Sequence, residues 1–265
     1  MSAFSKPGEQ SQIPFIAVIS GMVLLAWLSL WLWSQSPYSR YLDHDHLGSV
    51  SVSQSPTVMS IHVAGWTLMV VAMMLPTTLP LITLFRGFVR KHANAAVLVG
   101  TLLAGYIGIW TLFGVAVHAG DWGLHMLIDQ SAWVTANAWL ISAAILFGAG
   151  IYQFTELKYK CLDECRSPFS FIQRHWHGGN KYRESLTLGL HHGLYCIGCC
   201  WTLMLLMFAV GMGNLAWMLL LGIVMGIEKN VSWGRKLSKP LGLVLISWGM
   251  LLPALALTGV ISLSH

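Results

Sequence analysis

Charge is what this chain has least of. Asp, Glu, Lys and Arg make up 9% of its 265 residues, against 55% hydrophobic, and the mean hydropathy is +0.65. A soluble globular domain carries about 25% charged residues, so the class is a polytopic membrane protein. Acidic residues are scarcest, ten in all, and none falls firmly inside an apolar run. Glu156 and Glu228 sit at span ends, where snorkelling or pairing with Lys158 or Lys229 accounts for them. A buried-carboxylate proton relay therefore has no support. No phosphate-cradling glycine loop is present, which leaves ATP-driven pumping unsupported. Cysteine is also sparse: five residues, an odd number divided between a loop and a membrane segment, do not make an extracellular disulfide framework. The net charge of +5 invites a nucleic-acid reading. It fails because the basic residues are confined to short loops between apolar runs, so no nucleic-acid partner is expected.

What the chain does have is long apolar runs. After a polar tail at 1–13, seven spans are expected, at about 14–35, 58–85, 95–118, 132–155, 186–210, 214–227 and 241–263. The first is too long for a signal peptide and lacks a cleavage site. Trp27, Trp31, Trp33, Tyr38 and Tyr41 cluster at its far end as an interfacial aromatic belt. Pro76 and Pro80 break the second span, and the longest loop, 156–184, carries Cys161 and Cys165. With the N-terminus in the cytoplasm, fourteen of the fifteen Lys and Arg lie inside, all but Arg40. That asymmetry sets the orientation, N-terminus in and C-terminus out, and argues that the short sixth run is a true crossing and not a re-entrant hairpin. The expected fold class is thus all-α, a helical membrane bundle forming one integral domain over 1–265. Trp66-Thr67-Leu68-Met69 recurs as Trp201-Thr202-Leu203-Met204, a match short enough to be chance in so Leu- and Met-rich a chain.

The densest chemistry lies in span five, His191-His192-Gly193-Leu194-Tyr195-Cys196-Ile197-Gly198-Cys199-Cys200-Trp201. Cys196 and Cys200 are four apart and share a helix face that His192 and Met204 extend by a turn each way. Position within the span places these cysteines near mid-membrane. Span two has a stripe of its own: Met59, His62, Trp66, Met69 and Met73 recur at helical spacing. If the two stripes face each other, they form a ladder of thiol, thioether and imidazole through the bilayer. Soft sulfur donors favour Cu(I) over hard ions that want oxygen. Taken alone, the span-two methionines read as packing; three cysteines beside two histidines in span five ask for more.

Cys161 and Cys165 are spaced to share one face of a helix and grip a metal jointly, with His175 and His177 in reach to complete a site. Two unrelated small residues explain the pair equally well. On the outer side lie Asp43, His44, Asp45, His46, His62, His118, Asp121, His125 and Asp129. Imidazole and carboxylate suit Cu(II) or Zn²⁺, although a solvated loop needs no metal to explain it. The order still has a direction, with borderline ligands outside, soft ligands within and thiols at the cytoplasmic face.

Three segments together resemble a known family: Ala72-Met73-Met74-Leu75-Pro76; Tyr152-Gln153 through Leu157-Lys158 to Cys161-Leu162-Asp163-Glu164-Cys165-Arg166-Ser167-Pro168; and His192-Gly193-Leu194-Tyr195-Cys196 with Cys199-Cys200-Trp201. They look like a bacterial family of predicted metal-binding integral membrane proteins, catalogued as a domain of unknown function. The similarity covers spans two to six. Glu156 stands where that family usually has proline. The resemblance implies a bacterial cytoplasmic membrane and a metal, and no particular reaction.

The leading expectation is a soft-metal binding membrane protein acting in transport, relay or delivery, with copper first and zinc or another borderline metal second. The expected metal residues are Cys196, Cys199, Cys200, His192, His191, Cys161, Cys165, Met69, Met73, Met204 and His62. Expected partners are the lipid bilayer, the metal ion and a periplasmic or membrane protein that exchanges it. The reading leans away from an enzyme, with no catalytic or organic-cofactor residues assigned. Two rivals stay open: a membrane thiol–disulfide oxidoreductase, and a structural or assembly subunit whose cysteines only pack.

Overall fold

The computed structural model describes residues 13–36, 56–128, 137, 139–210 and 214–257. Among them the chain is all helical, with no strand. The helices are α1 (Ile13–Ser34), α2 (Pro56–Met73), α3 (Leu75–Val89), α4 (Ala95–Ile128), α5 (Trp139–Tyr152), α6 (Glu156–Arg166), α7 (Pro168–His175), α8 (Lys181–Val210), α9 (Leu215–Asn230) and α10 (Ser238–Leu257). The tail at 1–13 lies almost wholly outside the described residues, as do Tyr38, Tyr41, Asp43 to His46 and Asp129.

Among the described residues, three helices are long and apolar enough to cross a membrane: α1, α4 and α8. The number rises to five if the bent pairs α2–α3 and α5–α6 each count as one crossing. α1 turns Leu24, Leu25, Leu28 and Leu32 outward, and α10 does the same with Leu243, Val244, Met250 and Leu251. Apolar side chains on the outside of a bundle suit a solvent of acyl chains.

α4 and α8 form the most extensive helix pair, and small residues bring them together. A Cβ added at Gly105 of α4 would lie 2.5 Å from the Leu186 carbonyl oxygen of α8, and one at Gly189 would collide with the Leu102 backbone. α2 packs mainly on α1 and α4, not on α8. The two stripes therefore do not face each other along their length, and the expected ladder is replaced by a meeting at one end.

That meeting depends on the break between α2 and α3, where the axis bends by 64°. Pro76 has no N–H, so the Ala72 carbonyl loses its helical donor four residues on. Trp27 of α1 supplies the replacement, its Nε1 donating to Ala72 O at 3.1 Å. The Met74 carbonyl accepts from the hydroxyls of Thr77 (2.8 Å) and Thr78 (3.0 Å). The Trp27 indole thus satisfies a backbone group at the kink that the helix itself cannot, as a buried break requires, while the two threonine hydroxyls find their own acceptor at the Met74 carbonyl. Trp27 belongs to the protein interior here and not to an interfacial belt alone.

Two expected loops are helical. The segment 156–184 forms α6 and α7, capped at its start by the Thr155 hydroxyl, which accepts from the Lys158 backbone N–H at 3.3 Å. Ser167 and Pro168 then close α6 and open α7. Proline at the first turn is a natural helix start, and the pattern was masked in sequence by the high charge of α6. α4 likewise continues through Asp121 to Ile128, where an acidic loop was expected.

Candidate metal centre

α8 places Cys196, Cys199 and Cys200 on its buried side, each 2% exposed or less. The Cys199 and Cys200 thiols both donate back to the Cys196 carbonyl, at 3.1 and 2.9 Å. Such back-bonding one turn along keeps the sulfurs against the helix and turned into the core. All five cysteines are free thiols.

α6 folds against this face, which brings in the cysteines expected in a solvent-side loop. Cys165 is half-buried and packs against the core that holds Cys196, Cys199 and Cys200. Cys161 is buried and lies directly over Gly198; a Cβ at that glycine would stand 2.5 Å from the Cys161 sulfur. Gly198 is therefore the opening in α8 that admits α6. Tyr152, at the end of α5, hydrogen-bonds the Gly198 carbonyl from the other side.

Lys229 is the residue the sequence reading placed elsewhere. It was assigned to a basic loop, but α9 runs on to Asn230 and buries it. Its ammonium stands 2.8 Å from Cys196 Sγ, 3.9 Å from Cys200 Sγ, 3.6 Å from Met74 Sδ and 3.4 Å from Thr77 Oγ1. A buried charge needs compensating partners, and here two thiols, a thioether and a hydroxyl surround it. Tyr106 of α4 adds a hydrogen bond to Cys196 at 3.1 Å. Soft donors from α8 and from the α2–α3 break thus converge on a cation carried by the protein itself. Among the described residues, no three His, Cys, Asp or Glu side chains stand together as a finished metal site.

Behind the ammonium lies a second buried charge group. Lys158 of α6 pairs with Glu228 of α9 at 2.9 Å, both side chains fully or almost fully buried. Gln153 also accepts from Lys158, and Ser238 donates to the Glu228 carboxylate at 2.7 Å. Arg166 bonds the Glu228 and Ser232 carbonyls. Glu228 was expected to snorkel at a helix end or to pair with Lys158 or Lys229, and it pairs with Lys158. Together these residues tie the end of α5 to α6, α9 and α10 behind the thiols. The thiol cluster therefore lies level with the last turn of α9 and with α6.

The remaining expected site residues divide clearly. Met69, Met73 and Met204 are buried in the same core as the cysteines, and Met73 packs over Gly222 of α9. Met74, one residue off the expected stripe, has its thioether 4.0 Å from the Cys200 thiol. The break at Pro76 is the signal that could have singled it out. His192 is buried one turn from Cys196, its ring 5.8 Å from that of Tyr106 and 5.4 Å from Phe171. His191 lies on another face, its ring 4.9 Å from His175. His62 is not part of the thiol group: it stacks edge-on against His118 at 5.2 Å, near the start of α2.

No curated protein and no solved structure matches the chain. A family profile described as a copper chaperone, PpoB2, matches residues 63–252, well over half of the sequence and all of the helices that build the thiol cluster. On that match the chain belongs to the PpoB2 copper chaperone family.

Proposed function

We propose that this chain is an integral membrane protein of the bacterial cytoplasmic membrane that holds a cuprous ion among its thiols and hands it on. The observation that carries the reading is the packing of Cys161 and Cys165, from α6, against the core that holds Cys196, Cys199 and Cys200 of α8, in a member of a copper chaperone family. Thiolate and thioether donors favour Cu(I). Copper is the cargo here, and the chain's own residues receive it. The thiols of Cys165, Cys196, Cys199 and Cys200 and the thioether of Met74 form the soft lining. Lys229 holds that lining together while no metal is bound, and an arriving cation displaces its ammonium from the sulfurs. The Lys158–Glu228 pair stays behind as a fixed floor. With the basic loops inside, as their asymmetry argues, this lining, level with the last turn of α9, lies toward the cytoplasmic face, which makes that face the side of loading or release.

The test is anaerobic Cu(I) titration of the full chain in detergent against a chromogenic chelator, followed by elemental analysis. The wild type is expected to retain a tightly held equivalent that Cys196→Ser and Cys165→Ser both lose. Retention of that equivalent in both variants, or a protein that binds none and instead cycles a disulfide with a quinone, would overturn the reading.

A further inference from the structure

A second group of metal-ligating side chains lies outside the thiol cluster, between α7 and α8. His175 ends α7, and its Nδ1 is 2.9 Å from the Phe171 carbonyl oxygen. A carbonyl only accepts, so Nδ1 carries the proton and Nε2 of the neutral ring keeps a lone pair. Metal-ligating histidines are oriented in this way, by a backbone carbonyl on the nitrogen that does not bind. Its neighbour is His191 of α8, ring centroids 4.9 Å apart. The Nδ1 of His191 is buried and has no hydrogen-bond partner in the protein. An unpaired buried polar atom costs roughly 1–3 kcal/mol, and a metal ion is one way to satisfy it. With metal–nitrogen bonds of about 2.0–2.1 Å, rings this close can share one ion.

The pair is held in place from outside. Glu184, in the first turn of α8, accepts from the backbone N–H groups of His177 (3.1 Å), Gly178 (3.0 Å) and Gly179 (2.7 Å). Gly178 has a positive φ of 82°, a conformation that glycine adopts without strain. This turn anchors the end of α7 to the start of α8, so the two imidazoles do not depend on a free loop for their spacing. His191 precedes Cys196 by about 7 Å along α8 at 1.5 Å per residue, on the side toward the exposed basic turn. His192, buried and also with an unpartnered Nδ1, lies between them on the helix.

We infer that His175 and His191 form a second, nitrogen-donor copper site, through which the ion passes between solvent and the thiol cluster. The inference rests on the copper reading above. Imidazole accepts copper but holds the cuprous ion less firmly than thiolate, so an ion would move from nitrogen to sulfur on loading.

The test loads the full chain anaerobically with one and then two equivalents of Cu(I) and reads copper-edge X-ray absorption. The first equivalent is expected to show sulfur scattering, and the second to add imidazole scattering that His175→Gln and His191→Gln abolish. His175→Gln also controls for folding, because it lies at a half-buried helix end; circular dichroism should match the wild type. Imidazole scattering that survives in both variants, or no second equivalent at all, would overturn the inference. Loss of the sulfur signal in Cys196→Ser with the imidazole signal intact would show the two sites to be separable. A wild type with imidazole scattering alone would fail the thiol reading and overturn the passage to it, while upholding the nitrogen site itself.

Discussion

The two ends of α2 hold different kinds of buried polar group. At its start, His62 and His118 stack at 5.2 Å beside Trp66, whose Nε1 donates to the Trp110 carbonyl at 3.0 Å. Thr67 and Thr111 hydrogen-bond at 3.2 Å nearby. That end joins two helices through imidazole, indole and hydroxyl side chains. At the other end, about 18 Å along a helix of this length, Met74 meets Cys200 and Lys229 in a cluster drawn from the α2–α3 break, α4, α6, α8 and α9. The first end keeps α2 and α4 in register. The charged end assembles soft donors that no pair of helices carries alone. Function is thus found where separate elements bring one chemistry to one point, and not where a single helix displays it as a stripe.

The largest expected difference between the ends is in copper. Cys196→Ser with Cys199→Ser should abolish the tightly bound equivalent, whereas His118→Ala should leave the metal content unchanged, both read by elemental analysis after desalting. Equal losses would end the distinction. Next comes the floor of the thiol site. Removing one partner of a buried ion pair costs about 3–5 kcal/mol, so Lys158→Met or Glu228→Gln should sharply lower the thermal midpoint in detergent. The double variant Lys158→Met with Glu228→Leu should recover much of that loss, because no buried charge is then left alone. A smaller effect is expected from Pro76→Ala. Restoring the N–H straightens the α2–α3 break, and moving Met74 should weaken Cu(I) binding about 10-fold, or about 1.4 kcal/mol, in chelator competition. The smallest is Trp66→Phe. It should cost about 1 kcal/mol of stability in the same thermal assay and leave copper affinity untouched.

Much of this was legible in the sequence. The apolar runs at α1, α4 and α8 and the shared face of His192, Cys196, Cys200 and Met204 follow from hydropathy and from a 3.6-residue period. All four of those side chains are indeed buried. What escaped depends on tertiary folding. Periodicity carried the α2 stripe through to Met73, but the bend at Pro76 hands the thiol contact to Met74. Charge suggested that α6 was loop, since its Lys158 and Arg166 look solvated until the Glu228 carboxylate and carbonyl of α9 are brought to them. Lys229 was misplaced for the same reason: a lysine at the end of an apolar run reads as an anchor in water. Only the packing of α9 against α8 and α3 turns it inward. Tyr106 carried no signal, as one aromatic among many.

The Trp27 hydrogen bond has a consequence for how the chain can be shortened. α1 lies ahead of the matched region, and a first membrane helix of that kind is commonly treated as a detachable anchor. Here its indole is the donor that completes the backbone where α2 bends. A chain begun after α1 would have to satisfy that carbonyl with water or lipid-borne solvent, and the bend would relax toward whatever orientation it then preferred. The leading helix is in that sense a wedge holding the sulfur pocket to its shape, from the opposite side of the segment that lines it.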